Sequence, residues 1–300
     1  MNRAPRVSVV IPTYQNADFI AETIESVLAQ TYDDFEVVVS DHSSDDDTWD
    51  ILQRYASDTR VRLYREPVGG GAARNWNAAT TRARGELVKL VCGDDVLAPD
   101  CLEAQVTAFD TGGPGVVMVA ARRDVIDAAG QPVVRHRGLA GLRGRVAGAL
   151  AVRSTVRAGT NIFGEPCCVL MCARTLQDIG GWHGTDGYVI DLATYVRLLM
   201  LGDVICLPRS LAEFRVSAGQ WSVALARVQT RQNLALHRDV SVLAPHLLGR
   251  ADRLVGWAMT RLGTVRRRAA YLVLSRRMTA VEARPRPVRA QAAMAPTTAD

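Results

Sequence analysis

The stretch VSVVIPTYQNADFIAETIESVLAQTYDDFEVVVSD, residues 7–41, decides the fold of this protein. Its opening run VSVVI is apolar and ends at Pro12, a pattern that predicts a buried strand. Apolar residues then recur at the spacing of one helix face, at Ile20, Ile24, Val27 and Leu28. A second apolar run, Phe35–Val39, follows after a short connection. A strand, a helix and a strand in this order predict parallel strands covered by helices.

The alternation of strands and helices continues to about residue 110 and then weakens. Two more predicted strands, at 61–64 and 86–92, alternate with helical patterns that begin after Gly71 and at Pro99. Beyond them the sequence predicts a strand at 116–121, a hairpin turn at 128–130, helices at 173–179 and after Asp191, a last strand at 204–207, and two or three helices within 221–278. The predicted fold class is α/β, with a mostly parallel sheet and a helical C-terminal extension.

The overall composition excludes several classes of protein. Of the 300 residues, 48% are hydrophobic and 22% charged, which is typical of a folded globular chain and not of a disordered one. No apolar stretch approaches the roughly 18 residues of a membrane span. The N-terminal apolar run is too short for a secretory signal, so we expect a cytoplasmic protein. The six cysteines lack the paired spacing of a zinc site or a disulfide framework.

Polar side chains follow the predicted strands in four clusters, which are Thr13-Tyr14, the run from Asp41 to Asp47, Arg74-Asn75 and Asp94-Asp95. Ligands of parallel sheets bind beyond the carboxyl ends of the strands, so we expect these clusters to meet at one edge. Simpler explanations exist for three of them. They are a turn after Pro12, helix capping in the aspartate run, and a solvated charge at Arg74.

Asp94 and Asp95 indicate a bound cation. Adjacent carboxylates at the end of a buried strand raise each other's pKa unless a cation or hydrogen-bond donors compensate. Mg²⁺ and Mn²⁺ prefer oxygen ligands such as carboxylates and share their remaining positions with phosphates and water. A diphosphate would bring further negative charge, which Arg74 can offset. These residue types predict metal-assisted handling of a nucleoside diphosphate.

The stretch quoted above, extended to Thr48, and the segment GGGAARNWNAATTRARGELVKLVCGDDVLAPDCL, residues 69–102, resemble the family 2 glycosyltransferases of GT-A fold. The resemblance is dense over residues 6–110 and thins out by about residue 222. It implies an inverting enzyme that moves a sugar from a nucleotide-diphosphate sugar to a hydroxyl acceptor with Mg²⁺ or Mn²⁺. The products implied are cell-surface glycans, polysaccharides or glycolipids. It also implies a nucleotide-sugar-binding half at 1–110 and an acceptor-binding half at 111–222.

The resemblance assigns roles to residues of the donor half. Thr13 and Tyr14 match residues that line the nucleoside pocket. Asp41 matches the acid that contacts the base or ribose, and Arg74 matches the arginine that reaches the nucleotide.

The metal motif of the family matches Asp94 and Asp95. Asp95 takes the position of the direct metal ligand, and Asp94 that of the acid nearer the ribose or donor sugar. Two positions that are acidic in many members hold His42 and Cys92 here. These departures leave the metal affinity and the donor preference open.

An inverting transfer also needs a base for the acceptor hydroxyl. One carboxylate suffices, because the nucleotide diphosphate leaves with the help of the metal. The family places this base near the start of a helix, where Asp191 matches, although Ile190 replaces the first acid of the pair. Helix capping is the alternative for Asp191, and Asp186 is the reserve candidate for the base. Further resemblances place Trp182 at the acceptor site, with a core position as the alternative, and Arg215 near the diphosphate.

The C-terminal quarter is basic. Residues 225–300 hold 14 Arg and 4 acidic residues, whereas the whole chain carries a net charge of +5. Between 250 and 277, apolar residues at helical spacing alternate with eight Arg, which is typical of a helix on a membrane surface and would suit a lipid-linked acceptor. A helix packed on the catalytic domain, or one that forms a homodimer, also fits the pattern. Nucleic acid is not expected, because interleaved aromatic residues are missing. We predict a helical extension at 223–282 and a disordered tail at 283–300.

Two other functions remain open at this point. A nucleotidyltransferase also uses a parallel sheet and acidic metal ligands, but it carries a Gly-rich loop with a basic residue where this chain has Pro12-Thr13-Tyr14. A degenerate glycosyltransferase-like module that binds a partner or glycan without turnover would account for His42, Cys92 and Ile190.

Overall fold

The computed structural model describes residues 3–184, 189–217 and 228–282, with side chains described as far as residue 266. The strands of this part of the chain are β1 (Val7–Thr13), β2 (Phe35–Asp41), β3 (Val61–Arg65), β4 (Leu87–Leu90), β5 (Val96–Leu97), β6 (Val116–Asp127), β7 (Pro132–Arg137), β8 (Gly144–Val146), β9 (Val169–Cys172) and β10 (Asp203–Val216). The helices are α1 (Ile20–Leu28), α2 (Thr48–Gln53), α3 (Gly71–Thr81), α4 (Cys101–Thr111), α5 (Gly148–Ala158), α6 (Ala173–Asp178), α7 (Ile190–Leu199), α8 (Gln229–Leu243) and α9 (Arg250–Glu282). The predicted α/β class with a helical C-terminal extension is confirmed.

The first half of the sheet is parallel, as the sequence predicts. Its strands lie in the order β3-β2-β1-β4, and neighbouring strands run in the same direction. Every residue of β1 and β2 is buried, because helices cover both faces of these strands. That double burial explains why their sequences read as unbroken apolar runs instead of an alternating pattern.

The second half of the sheet is mixed, although its longest pairing, between β6 and β10, is parallel, so the sheet as a whole keeps the mostly parallel character that the sequence predicts. Strand β9 lies between β4 and β6 and is antiparallel to both. Strand β10 is parallel to β6 but antiparallel to β5 and β8. The sheet is continuous across the predicted boundary at residue 110, because β9 joins the two halves.

Several element boundaries in this half also differ from the sequence expectation. Strand β6 runs to Asp127 and β10 to Val216, so both are much longer than their apolar cores at 116–121 and 204–207. The predicted turn at 128–130 does connect β6 to β7. Helix α5 and strands β7, β8 and β9 were not predicted, since the segment 122–165 reads as an Arg- and Gly-rich loop and Val169–Cys172 is too short to stand out. The predicted tail at 283–300 lies outside the described residues.

Helix α9 is attached to the domain through α5 by small and polar residues. The Asp252 carboxylate forms ion pairs with Arg153, at 3.0 Å, and Arg157, at 2.7 Å. Gly256 lies so close to α5 that an added Cβ would be 2.5 Å from the backbone oxygen of Val156. The interface therefore depends on close backbone approach and on ion pairs.

We expect Gly256→Val to lower the free energy of unfolding by about 1–3 kcal/mol, because the added side chain meets backbone that cannot rotate away. Urea denaturation followed by circular dichroism measures the change. Ala258→Val is the matched control, since Ala258 lies on the exposed side of the same helix and the substitution adds bulk there without a neighbour. Equal stabilities of the two variants would contradict the close packing of α9 on α5.

Candidate functional site

The carboxyl ends of the parallel strands bring the predicted clusters to one edge of the sheet. In the register of β1 and β2, Thr13 lies beside Asp41, and β4 runs alongside β1 in the same direction. The segment that follows β4 carries Asp94 and Asp95 to the same edge. Helix α3, which carries Arg74, begins after β3 and packs on β1 and β2.

Asn75 holds this edge together. Its side-chain nitrogen donates to the backbone oxygens of Thr13, at 3.2 Å, and Ser40, at 3.1 Å, and its oxygen accepts a bond from the Ser40 hydroxyl at 2.7 Å. One buried amide thus connects α3 to the ends of both β1 and β2. In the sequence, Asn75 stands out only as the neighbour of Arg74, and nothing in the local pattern indicates this role.

The residues matched to the nucleoside pocket lie around an open position. Thr13 is buried and donates to Asn16 Oδ1, whereas the ring of Tyr14 is 52% exposed. Tyr14 and His42 meet edge to face with ring centroids 6.0 Å apart. His42 Nε2 lies 2.8 Å from the backbone oxygen of Gly69, in the loop before α3. An exposed aromatic ring beside a fixed loop is suited to contact with a planar base.

Asp41 and Arg74 differ in burial and in how many hydrogen bonds their side chains make within the protein. Asp41 is buried, its carboxylate accepts bonds from the amide and hydroxyl of Ser44, and Arg65 Nε lies 3.6 Å from it. It therefore shapes the loop after β2. Arg74 is exposed, and its guanidinium donates to the oxygen of Gly69 at 3.2 Å, which leaves most of its donors facing solvent.

The loop with the two aspartates is packed tightly against β1. A Cβ added at Gly93 would lie 2.6 Å from Thr13 Oγ1 and 2.9 Å from Asn16 Oδ1. Asp94 is nearly buried, and Asp95 is fully buried. The backbone amide of Arg215 donates to Asp95 Oδ1 at 3.2 Å, and its Nε donates to the backbone oxygen of Asp94 at 2.9 Å.

The negative charge of the buried Asp95 carboxylate has few partners that stabilise it. Burial, the charge of Asp94 and the charge of Glu165 raise its pKa well above the usual range. Its Oδ2 is buried without a hydrogen-bond partner of ordinary geometry in the described part of the chain. The Cys167 thiol lies nearby and opposes the rise in pKa, but a thiol is a weak donor. A group that supplies positive charge would relieve this carboxylate.

A divalent cation fits this position if the substrate completes its shell. No group of three or more His, Cys, Asp or Glu side chains in the described residues is arranged to hold a metal ion. Mg²⁺ is commonly bound through one or two carboxylates together with substrate phosphates. The free Oδ2 of Asp95 and the adjacent carboxylate of Asp94 match that smaller donor set.

Asp191 lies in the first turn of α7 with part of its surface exposed. Its Oδ2 accepts a bond from Asn161 Nδ2 at 2.7 Å, and its Oδ1 accepts one from the amide of Leu192 at 2.6 Å. Val189, not Asp191, holds the N-cap position, and no side chain caps the helix there. Burial, and next the charge of Glu165, raise the pKa of Asp191 to about 7, although Asn161 and Arg123 act in the opposite direction.

Glu165 is a charged member of this region that sequence reasoning missed. It forms an ion pair with the buried guanidinium of Arg123. Its charge raises the pKa values of Cys92 and Asp95, in the connection between β4 and β5, and of Asp191, at the start of α7. Its sequence neighbourhood, Gly164-Glu165-Pro166, reads as a turn, and nothing local indicates that it faces the aspartates.

Arg215 occupies a different position from the one expected. Its guanidinium is buried, donates to Glu22 Oε2 at 2.7 Å and stacks over the ring of Phe19 at 4.8 Å from the centroid. It also donates to the backbone oxygen of Asp127 at 3.3 Å. Arg215 therefore anchors the Asp94-Asp95 loop to α1 and to the β6–β7 turn and does not face an open diphosphate position.

Trp182 lies in the core, which was one of its two expected positions. It is buried, its indole nitrogen donates to Thr80 Oγ1 at 2.9 Å, and its ring meets those of Trp76 and Tyr195 edge to face. Asp186, the reserve candidate for the base, lies outside the described residues.

Two cavities of the structure differ in their distance from the predicted site residues. A cavity of about 670 Å³ lies at the opposite end of β4, beside Arg6, Gly85 and Glu86, and contains none of the predicted site residues. A cavity of about 230 Å³ is lined by Arg123 and Asn161, the partners of Glu165 and Asp191. The second cavity therefore adjoins Glu165 and Asp191.

Comparison with known proteins identifies the family. The model of glycosyl transferase family 2 matches residues 8–168, more than half of the chain. The chain belongs to this family. An uncharacterized protein of Mycobacterium tuberculosis is 31% identical over 235 residues, which is 77% of this chain and 72% of that protein.

Two further similarities cover a smaller part of this chain or have a lower sequence identity. An Escherichia coli enzyme named UDP-Glc:alpha-D-GlcNAc-diphosphoundecaprenol beta-1,3-glucosyltransferase is 34% identical over 105 residues, 35% of this chain and 41% of that enzyme. The chain thus matches less than half the length of that enzyme. The structure of a mannosyltransferase of Pyrobaculum calidifontis in complex with GDP-Man and Mn²⁺ superposes with a TM-score of 0.61 at 22% identity, covering 93% of this chain and 81% of that chain. This likeness shows the GT-A fold that the sequence resemblance implied.

We expect Asn75→Ala to lower the free energy of unfolding by about 1–2 kcal/mol and also to weaken the binding of nucleoside diphosphates, because the ends of β1 and β2 lose a shared donor. Urea denaturation and isothermal titration calorimetry measure the two effects. Asn77→Ala is the matched control, since this second asparagine of α3 donates to Ala73 and Trp182 on another side of the helix. It should lose stability but keep nucleotide affinity. Equal nucleotide affinities of both variants would argue against the role given to Asn75.

Proposed function

We propose that this protein is an inverting, divalent-cation-dependent glycosyltransferase. It transfers a sugar from a nucleotide-diphosphate sugar to a hydroxyl of a glycan or lipid-linked acceptor in the synthesis of cell-surface polysaccharide or glycolipid. The proposal rests mainly on two acids with different properties, Asp95 as a candidate cation ligand and Asp191 as a candidate base. The Asp95 carboxylate is buried with a free oxygen at the edge where the donor half ends, and the partly exposed Asp191 has a pKa raised to about 7.

The donor would be held by residues of the first half. The exposed ring of Tyr14 is placed to contact the base, and the free donors of Arg74 are placed to reach the diphosphate. Asp94 and Asp95 would bind Mg²⁺ or Mn²⁺ together with the diphosphate. When bound, the cation neutralises the negative charge that develops on the departing nucleoside diphosphate. The Mn²⁺ and GDP-Man of the Pyrobaculum enzyme support this arrangement.

The transfer requires one proton to move from the acceptor hydroxyl to the protein. Asp191 would accept the proton of the acceptor hydroxyl while the acceptor oxygen forms its bond to the anomeric carbon of the sugar. The bond from that carbon to the phosphate oxygen breaks in the same step, and the nucleoside diphosphate leaves with the electron pair. Because attack and departure occur on opposite faces, the configuration at the anomeric carbon inverts. The hydrogen bond from Asn161 orients the Asp191 carboxylate for this role.

The acceptor class is supported by relatives and not by the donor site. The name of the Escherichia coli relative describes transfer to a diphosphoundecaprenol-linked sugar. No helix among the described residues is long and apolar enough to cross a membrane. We infer that this protein would meet a lipid-linked acceptor from the surface of a membrane. Family membership also argues against the nucleotidyltransferase alternative.

We expect a nucleoside diphosphate to raise the melting temperature of the protein when Mn²⁺ is present, and Asp95→Asn to abolish the metal-dependent part of that rise. A ligand at about 100 times its dissociation constant adds about 2.7 kcal/mol of stability, which a thermal melt detects readily. The substitution removes an acid whose charged form is disfavoured, so the variant should fold at least as stably as the original protein. Asp50→Asn, at an exposed acid of α2, is the control. A panel of nucleoside diphosphates that never shifts the melt would favour the binding-module alternative.

We expect the kcat/KM for sugar transfer to fall about tenfold for each pH unit below the pKa of Asp191, which is about 7, and to level off above it, because the protonated carboxyl cannot accept the hydroxyl proton. Asp191→Asn should lower kcat by about 10²–10⁴-fold, while donor binding, measured by the thermal melt, stays unchanged. Asp178→Asn is the control, since that acid is exposed at the end of α6. A flat pH profile between 5 and 8 would contradict the role of Asp191.

The charged neighbours of Asp191 allow a second test of its role. Glu165 raises its pKa and Arg123 lowers it, and the Tyr195 hydroxyl and the Cys92 thiol lie in the same region with their own pKa values raised by burial. Glu165→Gln should therefore move the acidic limb of the profile to lower pH, because the repulsion on the Asp191 carboxylate is removed. Glu103→Gln, at an exposed acid of α4, should leave the limb in place.

A further inference from the structure

Helix α9 is turned with its apolar side away from the protein. The residues that face α5 are Asp252, Gly256 and Thr260, all of them buried, and none has a large apolar side chain. Between residues 250 and 266, five large apolar residues are exposed instead, and Val255 is partly buried; the exposed ones are Leu254, Trp257, Met259, Leu262 and Val265. A helix that only packs on its domain shows the reverse arrangement, with the apolar stripe facing the core.

Three of these residues and the exposed Ala258 form a continuous stripe along the helix. We call it the α9 stripe and define it as Leu254, Ala258, Leu262 and Val265. Successive members are three or four residues apart, so they lie on one side of the helix, roughly opposite Asp252 and Gly256. Leu254 is 69% exposed and Val265 is 65% exposed. Contiguous apolar surface of this kind marks a place where another molecule or a membrane binds.

Arginines border the α9 stripe. Arg250, Arg253 and Arg261 lie on one flank and Arg266 on the other, and all four are exposed. The guanidinium of Arg261 lies over the ring of Trp257 at 4.3 Å from its centroid, an aromatic and cationic pair at the border of the stripe. An apolar stripe with Trp and Arg at its border is the composition of helices that lie in the interface of an anionic lipid bilayer.

We propose that the α9 stripe inserts into the surface of a membrane that contains anionic lipids, with the flanking arginines on the phosphate groups. Charge complementarity selects this occupant over the others. A second copy packed stripe to stripe would bring the same arginines face to face, which is repulsive. The segment 283–300 carries three further Arg and one acid, so its charge is also of the wrong sign to cover the stripe.

Vesicle flotation with the full-length chain tests the proposal. The protein should float with vesicles of phosphatidylcholine mixed with phosphatidylglycerol, but not with phosphatidylcholine alone, and added salt should weaken the binding. Leu262→Gln combined with Val265→Thr should lower the partition coefficient about tenfold or more, because two anchoring side chains lose their apolar surface. Arg253→Gln combined with Arg261→Gln should lower it by about fivefold for each Arg removed.

The matched control is Leu201→Gln combined with Val68→Thr, which removes the same pair of residue types from exposed positions elsewhere. The control should bind vesicles as the original protein does. Equal binding by the control and the stripe variant would overturn the proposal, and so would equal binding to neutral and anionic vesicles. Sedimentation velocity identifies the competing occupant, since a dimer that the stripe variant dissociates, with vesicle binding unchanged, would assign the stripe to a second copy. Vesicle binding does not require sugar transfer, so this inference can fail while the proposed function stands, and the reverse.

Discussion

The close approach of several carboxylates in a region of low solvent access is the constraint on which the site depends. The charges of Asp94 and Glu165 raise the pKa of Asp95, and the charge of Glu165 also raises the pKa of Asp191, whereas the buried guanidinium of Arg123, which pairs with Glu165, lowers it. Buried like charges disfavour the ionised forms, which the raised pKa values of Asp95 and Asp191 reflect. The site therefore contains one buried carboxylate, Asp95, whose charged form lacks compensation, and a second, Asp191, with a pKa raised to about 7.

Buried polar side chains outside this group of acids hold the segments that carry them. Lys89, the one lysine of the chain, is buried in β4, and its Nζ donates to Gln105 at 2.8 Å and to the backbone oxygen of Cys167 at 2.6 Å. Gln105 in turn donates to the backbone oxygen of Cys168. These bonds fix the short segment that follows Glu165, and Arg215 fixes the loop of Asp94 and Asp95. Buried polar networks of this kind hold reacting groups in place because every alternative would leave a buried donor unsatisfied.

The edge with Thr13, Asp41 and Asp95 could be predicted from the sequence because its signals are local. Strands β1 and β2 are largely apolar and end in Thr13 and Asp41, the connection after β4 carries Asp95, and parallel strands bring these ends to one edge without further information. The surroundings of Asp191 could not be predicted in the same way. Glu165 reaches the cluster through the antiparallel insertion of β9, a long-range pairing that a four-residue strand does not reveal. Arg215 was expected near the diphosphate, but the ring of Phe19 and the carboxylate of Glu22, almost 200 positions earlier, take up its guanidinium.

The periodicity of α9 likewise predicted an amphipathic helix without predicting which side faces the domain. The side is decided by Asp252, which pairs with two arginines of α5, and by Gly256, which permits backbone contact with it. Both signals depend on a helix, α5, that the sequence did not reveal.

The departures from the family pattern acquire a physical meaning in this setting. Where many members carry an acid, this chain has Cys92, and burial together with the charges of Asp95 and Asp94 raises the pKa of its thiol well above the usual range. The thiol is therefore neutral at physiological pH and adds no negative charge to the cluster. His42 replaces another acid and is held by the backbone oxygen of Gly69. The change at Cys92 removes a negative charge beside Asp95, so a cation there would depend more on the oxygens of the diphosphate than in members with the additional acid. Metal and donor should accordingly bind together in this protein, because neither has a complete set of partners alone.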